Sequence, residues 1–168
     1  MNTPKAYIGL TNPKTPANVG SVMRAAGCFG ATAVFYTGER YERAAQFNTD
    51  TKAVNRNIPL HNVASLLDSI PKDTKLVCVE LAEGATPLPA FEHPDNAFYV
   101  FGPEDGTLEQ DVIDRADAVV YIPTIGCLNL AATVNVILYD RLVKSGRVIE
   151  HDALIRQSRD TNNRLIVK

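Results

Sequence analysis

The stretch Phe101-Gly102-Pro103-Glu104-Asp105-Gly106-Thr107-Leu108 decides how the rest of the chain reads. An apolar run from Ala97 to Phe101 stops at a glycine, a proline, two carboxylates and a second glycine, and a helix is predicted to begin near Glu109. Open α/β sheets place their ligands where a strand empties into a tight loop of this kind. Gly102 and Gly106 let the backbone bend and approach a ligand closely, and Glu104 sets one charge at the strand end. Alone, the octapeptide is equally compatible with an ordinary loop. What flanks it has to decide.

Upstream, Lys5 to Leu10 is a first strand, broken by Thr11-Asn12-Pro13-Lys14-Thr15. Thr15 followed by Pro16 is a cap with a first-turn proline, so a helix starts there. Val19, Val22, Met23 and Ala26 fall at i, i+3, i+4 and i+7 and form one buried stripe. Arg24 sits beside that stripe, one turn after Gly20, placed either to project into a cleft or to snorkel into solvent. Gly30 ends the helix and Ala31 to Thr37 is a strand, and strand, helix, strand announces a parallel sheet. Gly38 to Pro59 carries Arg40, Arg43, Lys52 and Arg56 among few large apolar residues, an excursion suited to a phosphate backbone or simply a solvated loop.

His61 or Asn62 is expected to cap a short helix through Leu66, Leu67 and Ile70, before a buried strand from Lys75 to Leu81 and a loop from Glu83 to Pro87. Beyond the central stretch, Val112, Ile113 and Ala116 mark a helix, Ala118 to Ile122 a strand, and Pro123 to Cys127 a third loop at a strand end. Leu128 to Leu142 reads as a helix apolar almost all round, the kind buried on several sides, which suggests a homodimer. A last helix is expected around Ala153, Leu154 and Ile155, followed by a basic end.

A chain of 168 residues with 45% hydrophobic and 21% charged residues fits one soluble α/β domain spanning 1–168. No apolar run reaches the roughly 18 residues of a membrane span, and the start lacks a signal-peptide core, so a cytoplasmic location without membrane contact is expected. Cys28, Cys78 and Cys127 lack paired metal spacing and read as reduced thiols, the first two as core filler, with no metal expected. The net charge of −2 argues mildly against binding nucleic acid through bulk charge. From Arg141 onward, however, seven Lys or Arg stand against Glu150, Asp152 and Asp160, a local surplus able to hold a polyanion.

Three signatures now stand in order at predicted strand ends: Asn18-Val19-Gly20-Ser21-Val22-Met23-Arg24 with Phe29-Gly30, Phe101-Gly102-Pro103-Glu104 with Gly106, and Ile122-Pro123 with Leu128-Asn129. Together they resemble the SpoU branch of the SPOUT RNA methyltransferases, the ribose 2′-O-methyltransferases, from about Tyr7 to Leu142. The resemblance implies a mostly parallel sheet flanked by helices, a C-terminal trefoil knot and a homodimer. It also implies S-adenosylmethionine held by the backbone of three loops, at Leu81, at Gly102, and at Ile122, Cys127 and Leu128.

By the same resemblance Arg24 acts near the attacking hydroxyl. A guanidinium is a poor base, so the role expected of it is to orient the hydroxyl or adjacent phosphate and to stabilise developing alkoxide. Asn18 and Glu104 are expected to hold Arg24 and the loops, with Glu104 as its charge partner, and Asn129 completes the catalytic set. The third signature departs from the usual pattern: Cys127 stands where a serine is common, and the loop is shortened. Cys127 reads as pocket lining, since no histidine lies near it in sequence to make it a nucleophile. The expected substrate is RNA, transfer RNA before ribosomal RNA, because a minimal dimer has to recognise RNA with its own surface; Arg24, Arg40, Arg43, Lys52 and Arg56 are the expected contacts. A catalytically silent RNA-binding dimer and an RNA base methyltransferase are the alternatives.

Overall fold

The five expected strands form where apolar runs can be covered on both faces, and all of them pair in parallel. The computed structural model describes residues 3–46, 57–147 and 151–167. Within them, strand β1 (Lys5–Leu10) leads through helix α1 (Pro16–Phe29) to β2 (Ala33–Tyr36), then through α2 (Arg40–Ala45) to β3 (Leu60–Asn62). β4 (Lys75–Val79), β5 (Thr86–Pro87) and β6 (Asn96–Phe101) follow, then α3 (Gln110–Arg115), β7 (Ala118–Tyr121), α4 (Leu130–Lys144) and α5 (His151–Ser158). The strand order is β3-β2-β1-β6-β4-β7-β5.

That order fixes where a site can be. The chain winds outward one way through β1, β2 and β3 and the other way from β6, so the direction switches between β1 and β6, the position that opens a crevice at the strands' carboxyl ends. Leu10 pairs with Phe101, Phe101 with Val79, and Val79 with Val120, so the loops after β1, β6, β4 and β7 leave the sheet at one level. β7 lies between β4 and β5, inside a connection completed earlier in the chain, as a threaded C-terminal segment requires.

Alternation along β6 divides the core. Ala97, Tyr99 and Phe101 face Val19, Val22 and Met23 of α1 and Val134, Ile137 and Leu138 of α4. Phe98 and Val100 face Leu66, Leu76, Cys78 and Leu108 on the other side, with Val112 and Ile113 of α3 packed beside them. The predicted stripe of α1 is buried as expected, and Gly30 closes the helix in the left-handed conformation (φ 69°).

Three expectations are corrected, the first being the loop from Glu83 to Pro87, whose last two residues form β5 beside β7. His61 and Asn62 cap no helix: with Leu60 they form β3 alongside β2, and Leu67–Ser69 makes a single 3₁₀ turn. Pro71 pushes Ile70 to extended backbone (ψ 121°), which stops that turn after one round. Cys28 is exposed, because it lies off the buried stripe of α1; Cys78 is fully buried, and burial, with the nearby Glu80 charge, pushes its thiol up to about 12.

At the other end of the sheet a half-buried polar cluster ties α4 to the segment before β6. Asp140 can only accept, so His93 donates from Nε2 to Asp140 Oδ2 (2.8 Å) and accepts at Nδ1 from the Tyr99 hydroxyl (2.6 Å). Arg141 donates to the Tyr99 oxygen and to the carbonyls of Pro94 and Asp95, and Lys144 donates to those of Leu88 and Phe91. Burial holds the His93 imidazole below the ordinary histidine range, outweighing the upward pull of Asp140, while the charges of Arg141 and Lys144 act with burial. A lowered histidine leaves the unfolded chain binding more protons as the pH drops, so this cluster loses stability toward acid. Between about pH 7.5 and about pH 5.5 the urea midpoint of the native chain is expected to fall more than that of His93→Gln; equal falls would rule the cluster out as the cause.

Candidate functional site

The loop after β6 is held from across the sheet by a carboxylate. Glu104 accepts from the backbone N–H of Lys14 (2.8 Å), from that of Thr15 (3.1 Å) and from Asn18 Nδ2 (3.1 Å). The Thr15 side chain makes no capping bond, and Glu104 brings the negative charge that the start of α1 favours. Burial raises this carboxyl, but the bonds from Asn18 and the backbone N–H groups, Lys14 and Thr15 among them, outweigh it, so Glu104 sits below the usual glutamate range.

The bond network continues into the third loop. Asn18 Oδ1 accepts from Asn129 Nδ2 (3.0 Å), and Asn129 Oδ1 accepts from the backbone of Ala131 (2.9 Å) and Ala132 (3.3 Å), capping α4. One line of side chains thus joins the three signatures: Glu104 to Asn18, Asn18 to Asn129, Asn129 to the helix.

The loops enclose a cleft of about 400 Å³. Asn18, Glu104 and Asn129 line it, and so do Leu81, Gly102, Ile122, Cys127 and Leu128, bringing together residues more than a hundred positions apart. Its volume and mixture of apolar side chains with polar loop backbone suit a small organic ligand. Leu81 and Leu128 are 54% and 41% exposed there, apolar surface that an adenosine can cover. Gly102 serves by its missing side chain: a Cβ would come within 3.3 Å of Glu80 Oε2 and 3.4 Å of Leu108 N. These residues fit S-adenosylmethionine, with three loops presenting backbone to it.

Glu80 escaped the sequence reading. It lines the cleft and accepts from the backbone of Leu108 (3.0 Å) and of Leu81 (2.9 Å), fastening the loops after β4 and β6 to each other. The available signal was a charge directly after the apolar run Leu76 to Val79.

Arg24 is placed elsewhere. It is exposed on α1 and has neither a hydrogen bond nor an ion pair among the described residues, so Glu104 is not its charge partner. Six residues turn an α-helix by about 600°, which puts Arg24 on a different side of α1 from Asn18. Arg40 pairs with Asp105, and Arg43 with Glu39, the residue just before α2; Lys52 and Arg56 lie outside the described residues. Cys127 is exposed in the cleft, and among the described residues no histidine lines it. Among the described residues, no cluster of three His, Cys, Asp or Glu is placed to hold a metal, and no helix is long and apolar enough to cross a membrane.

Three donors share two carboxylate oxygens at Glu104, and an amide offers only one acceptor. Glu104→Gln is therefore expected to cost about 2 kcal/mol in urea unfolding at neutral pH. A lowered carboxyl contributes stability above its unfolded value, near 4.5, and loses it as the pH falls through the folded value. The difference between the two chains is expected to shrink below about pH 4; a gap that persisted in acid would mean that the charge is not what holds the loop.

The sequence matches the model of the SpoU rRNA Methylase family over residues 5–139. A tRNA (cytidine-2′-O-)-methyltransferase TrmJ of Methanocaldococcus jannaschii is 27% identical over 179 aligned positions, covering 95% of this chain and 76% of that protein. Among solved structures, one from work on 2-OH methylation of C/U34 on tRNA is 23% identical with a TM-score of 0.69, covering 87% of this chain and all of that one. An AdoMet-bound rRNA methyltransferase of Sinorhizobium meliloti is 23% identical with a TM-score of 0.66 over 83% of this chain, which spans only 56% of that protein's length. These likenesses establish the SPOUT-type fold, and the family match covers the three loops of the cleft and the strands that carry them: the chain belongs to the SpoU family of RNA methylases.

Proposed function

We propose that this chain transfers a methyl group from S-adenosylmethionine to a ribose 2′-hydroxyl of transfer RNA. The observation that carries the reading is the cleft itself, formed at the switch between β1 and β6, with Asn18, Glu104 and Asn129 tying α1, the loop after β6 and the start of α4 together and Glu80 fastening the loop after β4. The similarity to a tRNA 2′-O-methyltransferase over 95% of the chain favours transfer RNA over ribosomal RNA.

The cofactor supplies a methyl group on a sulfonium. The chain's contribution is to fix the cleft around it, so that a hydroxyl presented at the right distance meets little further entropic cost. Gly102 keeps the loop after β6 seated on Glu80 and Leu108, and Asn129 fixes the start of α4. Arg24 lies outside the cleft lining and is assigned to the RNA, orienting the ribose and its phosphate with the planar donors of its guanidinium. Arg43, also exposed, is assigned to phosphate contact.

A homodimer belongs to the same reading. Leu130, Ala131, Val134, Ile137 and Leu138 bury one face of α4, while Val136, Tyr139 and Val143 leave the other apolar and exposed. Tyr139→Asp is expected to give a folded monomer in sedimentation; an unchanged dimer would place the interface elsewhere.

The decisive assay offers labelled S-adenosylmethionine with transfer and ribosomal RNA from cells lacking the protein, followed by nucleoside analysis. A 2′-O-methylated nucleoside in the transfer RNA is expected, with Arg24→Ala slowing its formation by about 100-fold or more while cofactor binding persists. Transfer should weaken as salt rises. Cofactor binding with no methyl transfer to either pool would instead support the silent dimer, for which the cysteine at 127 is the sequence feature that speaks.

A further inference from the structure

Arg40 was expected to meet phosphate, yet its guanidinium is committed within the protein. Nη1 donates to Asp105 Oδ1 (3.0 Å) and Oδ2 (2.9 Å), and Nη2 donates to Asp105 Oδ1 (3.0 Å). The remaining edge donates to the carbonyl of Asn12 from Nη2 (2.6 Å) and Nε (3.2 Å). One planar cation therefore spans the loop after β1, the start of α2 and the loop after β6.

Both ends of this contact lie next to groups that matter. Asp105 directly follows Glu104, so fixing its carboxylate fixes the backbone from which Glu104 reaches Lys14, Thr15 and Asn18. Asn12 stands two residues before Lys14 with left-handed backbone (φ 41°), and its Oδ1 is buried without a partner among the described residues. Gly38 makes room for that conformation, since a Cβ there would come 2.1 Å from Asn12 Oδ1. A turn held this way has a carbonyl facing α2, and Arg40 is what it meets.

We propose that Arg40 and Asp105 are positioning residues of the methyl-transfer site, a clamp that holds the loops after β1 and β6 at the separation Glu104 needs. The proposal rests on the methyltransferase reading for its kinetic consequence but not for its structural one. Lys14 Nζ, 3.8 Å from Asp105, is the other cation beside the pair and is largely exposed. It adds little in water.

Opposite charges make the clamp separable from a phosphate contact. If Arg40 held RNA, Arg40→Ala would raise KM while Asp105→Asn, which removes a repelling charge, would leave KM unchanged or lower it. The clamp instead requires that both substitutions act alike. Each is expected to lower kcat about tenfold with KM for transfer RNA nearly unchanged, and the double variant to lose no more than either single. Arg40→Lys is expected to recover only part of the rate, because an ammonium cannot span both carboxylate oxygens and the Asn12 carbonyl together. Lys75→Ala, which breaks the exposed Lys75–Asp117 pair away from the cleft, is the control and keeps the native kcat.

Amide hydrogen exchange on the same full-length chains supplies the readout independent of activity. Arg40→Ala and Asp105→Asn are each expected to speed exchange at the Lys14 and Thr15 amides, which Glu104 protects, and Lys75→Ala to leave both amides slow. Unchanged exchange at those amides, or KM effects of opposite sign in the two variants, overturns the clamp. If the native chain transfers no methyl, the proposed reaction fails, and exchange alone judges the clamp.

Discussion

The placement of one carboxylate governs the site. Parallel pairing delivers Leu10, Phe101, Val79 and Val120 to the same level, but it says nothing about the loops beyond them, each of which would lose about 1–2 kcal/mol per residue on being ordered. Three charge-assisted hydrogen bonds to Glu104 return an amount of the same order as ordering a few residues. That is enough for a short loop and too little for three. The further fastenings follow from this shortfall: Glu80 onto Leu108, Arg40 onto Asp105, Asn129 onto Asn18.

Helix α4 carries the consequence to the far side of the molecule. Asn129 ties its first turn to the cleft, and Arg141 and Lys144 tie its last turns to the carbonyls between Leu88 and Asp95. Cations at the end of a helix also complement its dipole, so the polar cluster and the helix stabilise each other. A helix anchored at both ends is a strut, and its apolar outer face with Val136 and Tyr139 is then presented as a rigid surface. Threading contributes as well, since β7 enters between β4 and β5 and α4 follows it in the chain.

Much of this was legible in the residues. The strands announced themselves because a parallel sheet buried on two faces demands uninterrupted apolar runs, and α1 did so through one stripe and a terminal glycine. The loops could be read because three signatures stand in order at the ends of apolar runs, although none of them decides the matter alone. Side-chain partners were not legible: Glu104 pairs with backbone N–H groups some ninety positions away, and no periodicity encodes that. Reading Glu104 as the partner of Arg24 failed for a geometric reason, the turn of α1 between Asn18 and Arg24. The short strands β3 and β5 failed for an energetic one, since two or three residues carry no pattern and pair only because β2 and β7 offer an edge. The order of β7 and β5 also lies beyond any local signal, because insertion into an earlier connection is a property of the whole chain.

Cys127 shows what the frame tolerates. Its side chain stands exposed at the cleft and makes no hydrogen bond to the described residues, whereas Asn129, two positions on, makes three. A thiol in place of a hydroxyl at 127 therefore removes no support from the loops and keeps nearly the same volume beside the cofactor's place. The structural work of the third signature falls on Asn129, which couples the start of α4 to Asn18 and through it to Glu104. Loss of a hydroxyl at 127 is thus compatible with an intact transfer site, and the silent-dimer reading has to find its support in chemistry at residue 127 rather than in any break in the architecture around it.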